Sequence, residues 1–341
     1  MSTNQASKQA YFELFDFQLE SGVKADLRLA YRSYGELNVR GDNVIVLPTY
    51  YTGTDLSYLP IISSDHSLNP EKYFIVVPNL FGNGVSSSPS NMPAPYDSAR
   101  FPKITMYDNI RAQAMLLDSL GVDDIALVLG WSMGGVQSYQ WAAQYPERVK
   151  RALVICGAAK TAEHNIVFLK GVKAALEADA HFADGDYQNP PEKGLRAFGR
   201  IYAGWAFSQA FYRNQRFKEM GFATAEDLLM DWEEDHLTWD ANDLLAMLDT
   251  WVTADISRQA HYDGDLVKAL GAIKAKTWLV PCEQDLYFRY EDNLAELEHL
   301  QDGEYHGFES DFGHVAPGPG RFSEETAIVE NIIHKMLNAD V

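Results

Sequence analysis

The sequence predicts an α/β protein, a mostly parallel, doubly wound sheet carrying an inserted helical cap. Three observations carry this. Short continuous apolar runs recur with helical periodicity between the later ones; a pair of alternating stretches precedes them; and residues 161–261 show helical periodicity alone before the strand pattern returns.

The alternating pair comes first. Phe12, Leu14, Phe15 and Phe17, then Leu27, Leu29 and Tyr31, flank the turn residues Ser21 and Gly22 within Tyr11–Tyr34. This spacing predicts a hairpin at the antiparallel edge of the sheet. The runs Asn43–Leu47, Tyr73–Pro78, Ile125–Leu129 and Arg151–Cys156 read as parallel strands buried on both faces. Met106, Ile110, Met115, Leu116 and Leu120 predict a helix over Thr105–Leu120 that stops at Gly121, and Pro146 closes a second over Gly134–Tyr145.

Residues 1–160 and 262–341 are therefore assigned to the sheet domain and 161–261 to the cap, which is rich in Trp, Phe and Tyr and broken by turn residues at Asp184–Pro191. Strands are expected again at Thr277–Pro281 and Glu304–Phe308, with an apolar helix over Glu324–Leu337.

The chain has 341 residues, 46% of them hydrophobic, enough for one large core. Its formal net charge of −20 repels polyanions, so neither nucleic acid nor an anionic membrane is an expected partner. Cys156 and Cys282 stand far apart and form neither a disulfide framework nor a CxxC pattern, which fits a reducing cytoplasm. Met1–Ala10 is polar and lacks a leader's basic start and apolar stretch, so an unprocessed, soluble protein is expected.

The chemistry centres on Gly130-Trp131-Ser132-Met133-Gly134, a strand running into a serine and then a helix. A nucleophile elbow of the α/β-hydrolase fold demands that context, with small residues two positions either side so that the chain can turn sharply. A Gly-rich connector is the bland alternative for a lone Gly-x-Ser-x-Gly; placement on the fifth strand argues against it. The triad order of this fold then requires an acid and a histidine downstream. Asp285, just after Thr277–Pro281, is the expected acid, with Glu283 as rival; His314, in the loop after Glu304–Phe308, is the expected base. His306 is read as a packed or surface residue inside that strand. Backbone N–H groups of Met133 and Tyr51 are the expected oxyanion donors, the latter from Pro48-Thr49-Tyr50-Tyr51-Thr52-Gly53.

Other features carry blander readings. His164, His181, His236 and His261 have no partner at metal-ligand spacing, so no metal is expected. The acidic run Asp231–Asp235 reads as a solvated helix face. Phe81-Gly82-Asn83-Gly84 lacks a full phosphate-loop pattern and reads as a tight turn at the edge of the site.

At this point the chain resembles the homoserine O-acetyltransferase family over nearly its whole length. The resemblance rests on Leu29 to Asn38, on Phe101-Pro102-Lys103-Ile104-Thr105 with Asp108 and Arg111, on Ser132-Met133-Gly134-Gly135 with Gln137 and Trp141, on Trp239-Asp240-Ala241-Asn242, and on Gln284-Asp285-Leu286 and Gly313-His314. It implies a triad of Ser132, Asp285 and His314 and a homodimer. Three positions depart from the family: Trp131 stands where the transferases usually have Gly, Thr49-Tyr50-Tyr51-Thr52-Gly53 replaces His-Ala-Leu-Thr-Gly, and Val315 replaces the Asp after the histidine. An apolar Val315 supplies no anion for an amino-acid ammonium, and bulky Tyr50 and Trp131 are expected to line a narrower substrate pocket.

The expected function is hydrolysis of an ester, thioester or amide of a small acyl substrate through an acyl-serine. A CoA-dependent O-acyltransferase is the alternative, and a non-catalytic binding protein on the same fold the third reading. No cofactor is expected; acetyl-CoA enters as co-substrate under the acyltransferase reading alone.

Overall fold

A computed structural model describes residues 8–340. Most of the polar N-terminal segment read above as leaderless lies outside the described residues. One eight-stranded sheet organises the rest, in the order β1-β2-β4-β3-β5-β6-β7-β8. The expected hairpin forms its edge: β1 (Ala10–Gln18) and β2 (Lys24–Tyr34) pair antiparallel, with a register shift between Leu14 and Phe17. Asp16 takes up the extra residue at φ 48° and donates its N–H to Asp26 Oδ1.

Strands β3 (Val44–Val46), β4 (Phe74–Pro78), β5 (Leu127–Trp131), β6 (Arg151–Ile155), β7 (Lys276–Val280) and β8 (Gly303–Tyr305) run parallel to one another. Their continuous apolar runs are explained by cover on both faces. Ile45, Ile75, Leu127, Leu129 and Leu153 point into one buried cluster, while Val44, Val46, Val76, Val128 and Val154 point into the other. Two strand limits differ from expectation. Ile125 makes only an isolated bridge to Val149, and β5 instead reaches Trp131. β8 ends at Tyr305, so His306 lies just beyond the strand, packed 4.1 Å from the Trp278 ring with Nε2 on Glu304.

Helix α1 (Met106–Ser119) starts where Thr105 and Asp108 form a reciprocal capping box, and α2 (Met133–Gln144) follows β5 directly. Between β6 and β7 the chain is helical: α3 (Glu163–Glu177), α4 (Glu192–Ala206), α5 (Gln209–Arg213), α6 (Ala225–His236), α7 (Ala241–Val252) and α8 (Leu266–Gly271). Helices α9 (Tyr290–Leu297) and α10 (Ser323–Leu337) complete the chain. Among the described residues no helix is long and apolar enough to cross a membrane.

Candidate active site

Ser132 follows β5 at φ 60°, ψ −127°, a conformation that a serine holds only where its surroundings enforce it. The enforcement is visible at the glycines. A Cβ on Gly130 would stand 2.0 Å from the Gly134 carbonyl, and one on Gly134 would stand 2.6 Å from the Pro48 carbonyl oxygen. The Ser132 N–H donates to the Ile155 carbonyl at 2.9 Å, locking the elbow to β6. The serine thus sits at the N-terminus of α2, where the helix dipole favours developing negative charge.

The structure brings the three sequence-predicted residues together from separate loops. His314 Nε2 lies 2.9 Å from Ser132 Oγ, and Nδ1 lies 2.6 Å from Asp285 Oδ2. The other carboxylate oxygen accepts the N–H groups of Tyr287 at 3.0 Å and Phe288 at 3.1 Å, which orients Asp285 towards the imidazole. Because Asp285 accepts at Nδ1, that nitrogen carries the proton and Nε2 is left to accept from the serine hydroxyl. All three side chains are buried, so these contacts act in a low dielectric. The rival acid is elsewhere engaged: Glu283 accepts the Tyr305 hydroxyl at 3.1 Å.

A further group completes this cluster. Ligating atoms of Cys156, Asp285 and His314 all lie within 4.8 Å of one another. Burial, and next the Asp285 charge, push the Cys156 thiol well above its ordinary pKa, which keeps it neutral beside the carboxylate. Sequence reasoning missed this contact because it depends on the apposition of β6 and β7 rather than on spacing.

Met133 opens α2, where a backbone N–H has no intrahelical acceptor. Tyr51 lies in the loop after β3; its hydroxyl donates to the Leu244 carbonyl of α7 at 3.1 Å, and its ring stacks on Tyr202. Tyr58 ties this loop to the elbow, donating to the Pro48 carbonyl and accepting the Trp131 N–H. The Phe81–Gly84 turn supports it from behind, since Asn83 Nδ2 donates to the Gly53 carbonyl at 3.1 Å.

A cavity of about 270 Å³ opens over Ser132 and His314. Tyr50 and Trp131 line it as expected, in edge contact at 4.4 Å. Tyr202, Tyr287, Trp232, His236 and Arg321 also line it, none of them singled out as site residues by sequence. The acidic run is solvated as expected at Asp231, Glu234 and Asp235, but Asp231 and Asp235 also face the cavity, because residues four apart share one face of α6. A larger cleft of about 890 Å³ between the 98–105 segment and α7 contains none of the three triad residues, so size alone does not locate the chemistry.

The chain matches the α/β-hydrolase fold family over residues 42–319. It is 35% identical over 330 residues to an ethyl acetate hydrolase of Pseudomonas veronii, covering 94% of this chain and 93% of that one. It is 33% identical over 299 residues to a homoserine O-acetyltransferase of Nostoc punctiforme, covering 82% and 83%. A solved acetyl esterase structure superposes with a TM-score of 0.94 at 32% identity over 97% of both chains. Fold, family match and relatives agree: the chain belongs to the α/β-hydrolase family, is related to the homoserine O-acetyltransferases, and is an enzyme of the serine hydrolase and acyltransferase type.

Proposed function

We propose that this protein is a serine esterase that cleaves short-chain, acetyl-sized esters of small alcohols through an acyl-serine intermediate. The observation that carries this reading is the continuous Asp285–His314–Ser132 relay opening onto a small, aromatic-walled cavity. In the first step Ser132 Oγ attacks the ester carbonyl as His314 Nε2 takes its proton, and the oxyanion is held by the N–H groups of Met133 and Tyr51. His314 then protonates the departing alcohol, and a water repeats the sequence to release the acid. The helices between β6 and β7 act as the cap, placing Tyr202 and α6 over the serine.

Hydrolysis is preferred to transfer for two reasons. Val315, buried in the cavity wall, offers no anion to an amino-acid acceptor. The carboxylates of Asp231 and Asp235 beside the opening, on a chain of net charge −20, disfavour a polyanionic coenzyme A. The names of the ethyl acetate hydrolase and acetyl esterase relatives support the same substrate class.

A fluorophosphonate probe is expected to label the wild-type protein and not Ser132→Ala. Acetate release from ethyl acetate is expected to outpace consumption of acetyl-CoA with homoserine. Homoserine-dependent product formed at the greater rate would replace the esterase reading with the acyltransferase one.

A further inference from the structure

The cavity presents two chemically different sides. Tyr51, Tyr202 and Tyr287 are buried and stacked or edge-packed on one another, a dry wall suited to an acyl group. The last turns of α6 present the other. Within the acidic run, Glu233 and Glu234 turn to α4 and pair with Arg196, Glu233 also with Arg200, while Asp231 and Asp235 face the cavity. Arg321 lines the same space from the segment before α10; its charged neighbours are Asp235 and Asp231, and among the described residues it makes no ion pair within 4 Å.

His236 adds an independent observation. It is 4% exposed and lines the cavity. Its Nδ1 donates to the Trp232 carbonyl at 2.8 Å, and that edge of the ring is covered by Gly199 of α4. The opposite nitrogen, Nε2, is therefore an acceptor, and it has no partner among the described residues. Burial, opposed by the Asp235 carboxylate 3.4 Å from Nδ1, pushes the His236 pKa below its ordinary value.

We infer that this side of the cavity is the subsite for the alcohol half of the ester, and that Asp231, Asp235 and His236 select alcohols carrying a hydrogen-bond donor. The inference rests on the esterase reading. A hydroxyl or protonated amine pairs with Nε2, which opens on the cavity, and with the carboxylates; an apolar group of the same shape displaces water from the imidazole acceptor and leaves it unpaired. An anionic alcohol meets two carboxylates against one guanidinium and is disfavoured.

Two matched pairs of acetates test this at pH 7: 2-hydroxyethyl against propyl acetate, and protonated 2-(dimethylamino)ethyl against 3-methylbutyl acetate. The donor-bearing member of at least one pair is expected to have a kcat/KM about fivefold or more above its isostere. Which pair responds tells a hydroxyl specificity from an ammonium one. Asp231→Asn with Asp235→Asn, both at exposed positions, is expected to collapse the amine ratio towards one, and His236→Phe the hydroxyl ratio. If His236→Phe does not fold, the wild-type ratios and the aspartate variant still decide. Ratios at or below one in both pairs, with acetate still released, overturn the inference and leave the esterase standing. A preference untouched by the substitutions also overturns it. No release from any of these esters overturns the esterase reading itself, and the inference with it.

Discussion

The indole N–H of Trp131 donates to the backbone carbonyl of His314 at 3.1 Å, and the two rings stack at 5.3 Å. The residue before the nucleophile therefore holds the loop that carries the base, besides lining the cavity. Trp131→Phe keeps a ring and removes the donor; it is expected to lower kcat about fivefold with little change in KM, because the position of the base is disturbed more than the cavity wall. Trp131→Gly removes the ring as well and is expected to cost about 3 kcal/mol of stability by thermal or denaturant unfolding. An unchanged kcat in Trp131→Phe would show that the bond does not position His314.

Asp285→Asn is expected to fold normally and to lower the acylation rate by about 10⁴, because the imidazole loses the anion that sets its tautomer. Glu283→Gln, whose carboxylate serves Tyr305, is expected to stay within about twofold of wild type. Single-turnover acylation measures both. The reverse pattern would move the acid to Glu283.

Gly130→Ala places a methyl 2.0 Å from the backbone of Gly134, a contact that no rotamer relieves. Soluble yield is expected to fall, and any folded protein to lose fluorophosphonate labelling as Ser132 is displaced. Wild-type labelling would show that the elbow has more room than its backbone suggests.

Asp243 is buried in α7, where its carboxylate accepts from the Ser90 N–H and hydroxyl, and desolvation raises its pKa to about 7. An unfolded chain releases that proton near pH 4. Between roughly pH 4 and 7 the folded state holds a proton that the unfolded state has lost, so this contribution to stability is complete below the lower value and disappears as pH rises through the upper one. Asp243→Asn mimics the protonated form and is expected to raise Tm relative to wild type more at pH 8 than at pH 5. An offset equal at both pH values would sink the assignment.

Much of the fold was legible because its signals are local. The hairpin alternation, the apolar strand runs and the glycines at Gly130 and Gly134 each reflect constraints acting within a few residues. The convergence of Ser132, Asp285 and His314 was legible for a related reason: strands fix where their loops emerge, so order along the chain and position after a strand sufficed to pick out three residues that the fold brings together. The acidic run shows where this stops. Its four carboxylates look alike in sequence, yet α4 claims Glu233 and Glu234 and the cavity receives Asp231 and Asp235.

By itself, then, the sequence determined the sheet, the elbow and the choice of Ser132, Asp285 and His314, which lie within hydrogen-bonding reach of one another, because backbone geometry and residue order dictate them. Only the tertiary structure decided that Trp131 braces His314, that Cys156 lies against Asp285, and that His236, Asp231, Asp235 and Arg321 share the space above Ser132. Those relationships join segments far apart in the chain, and they exist only once packing has brought one helix or strand against another.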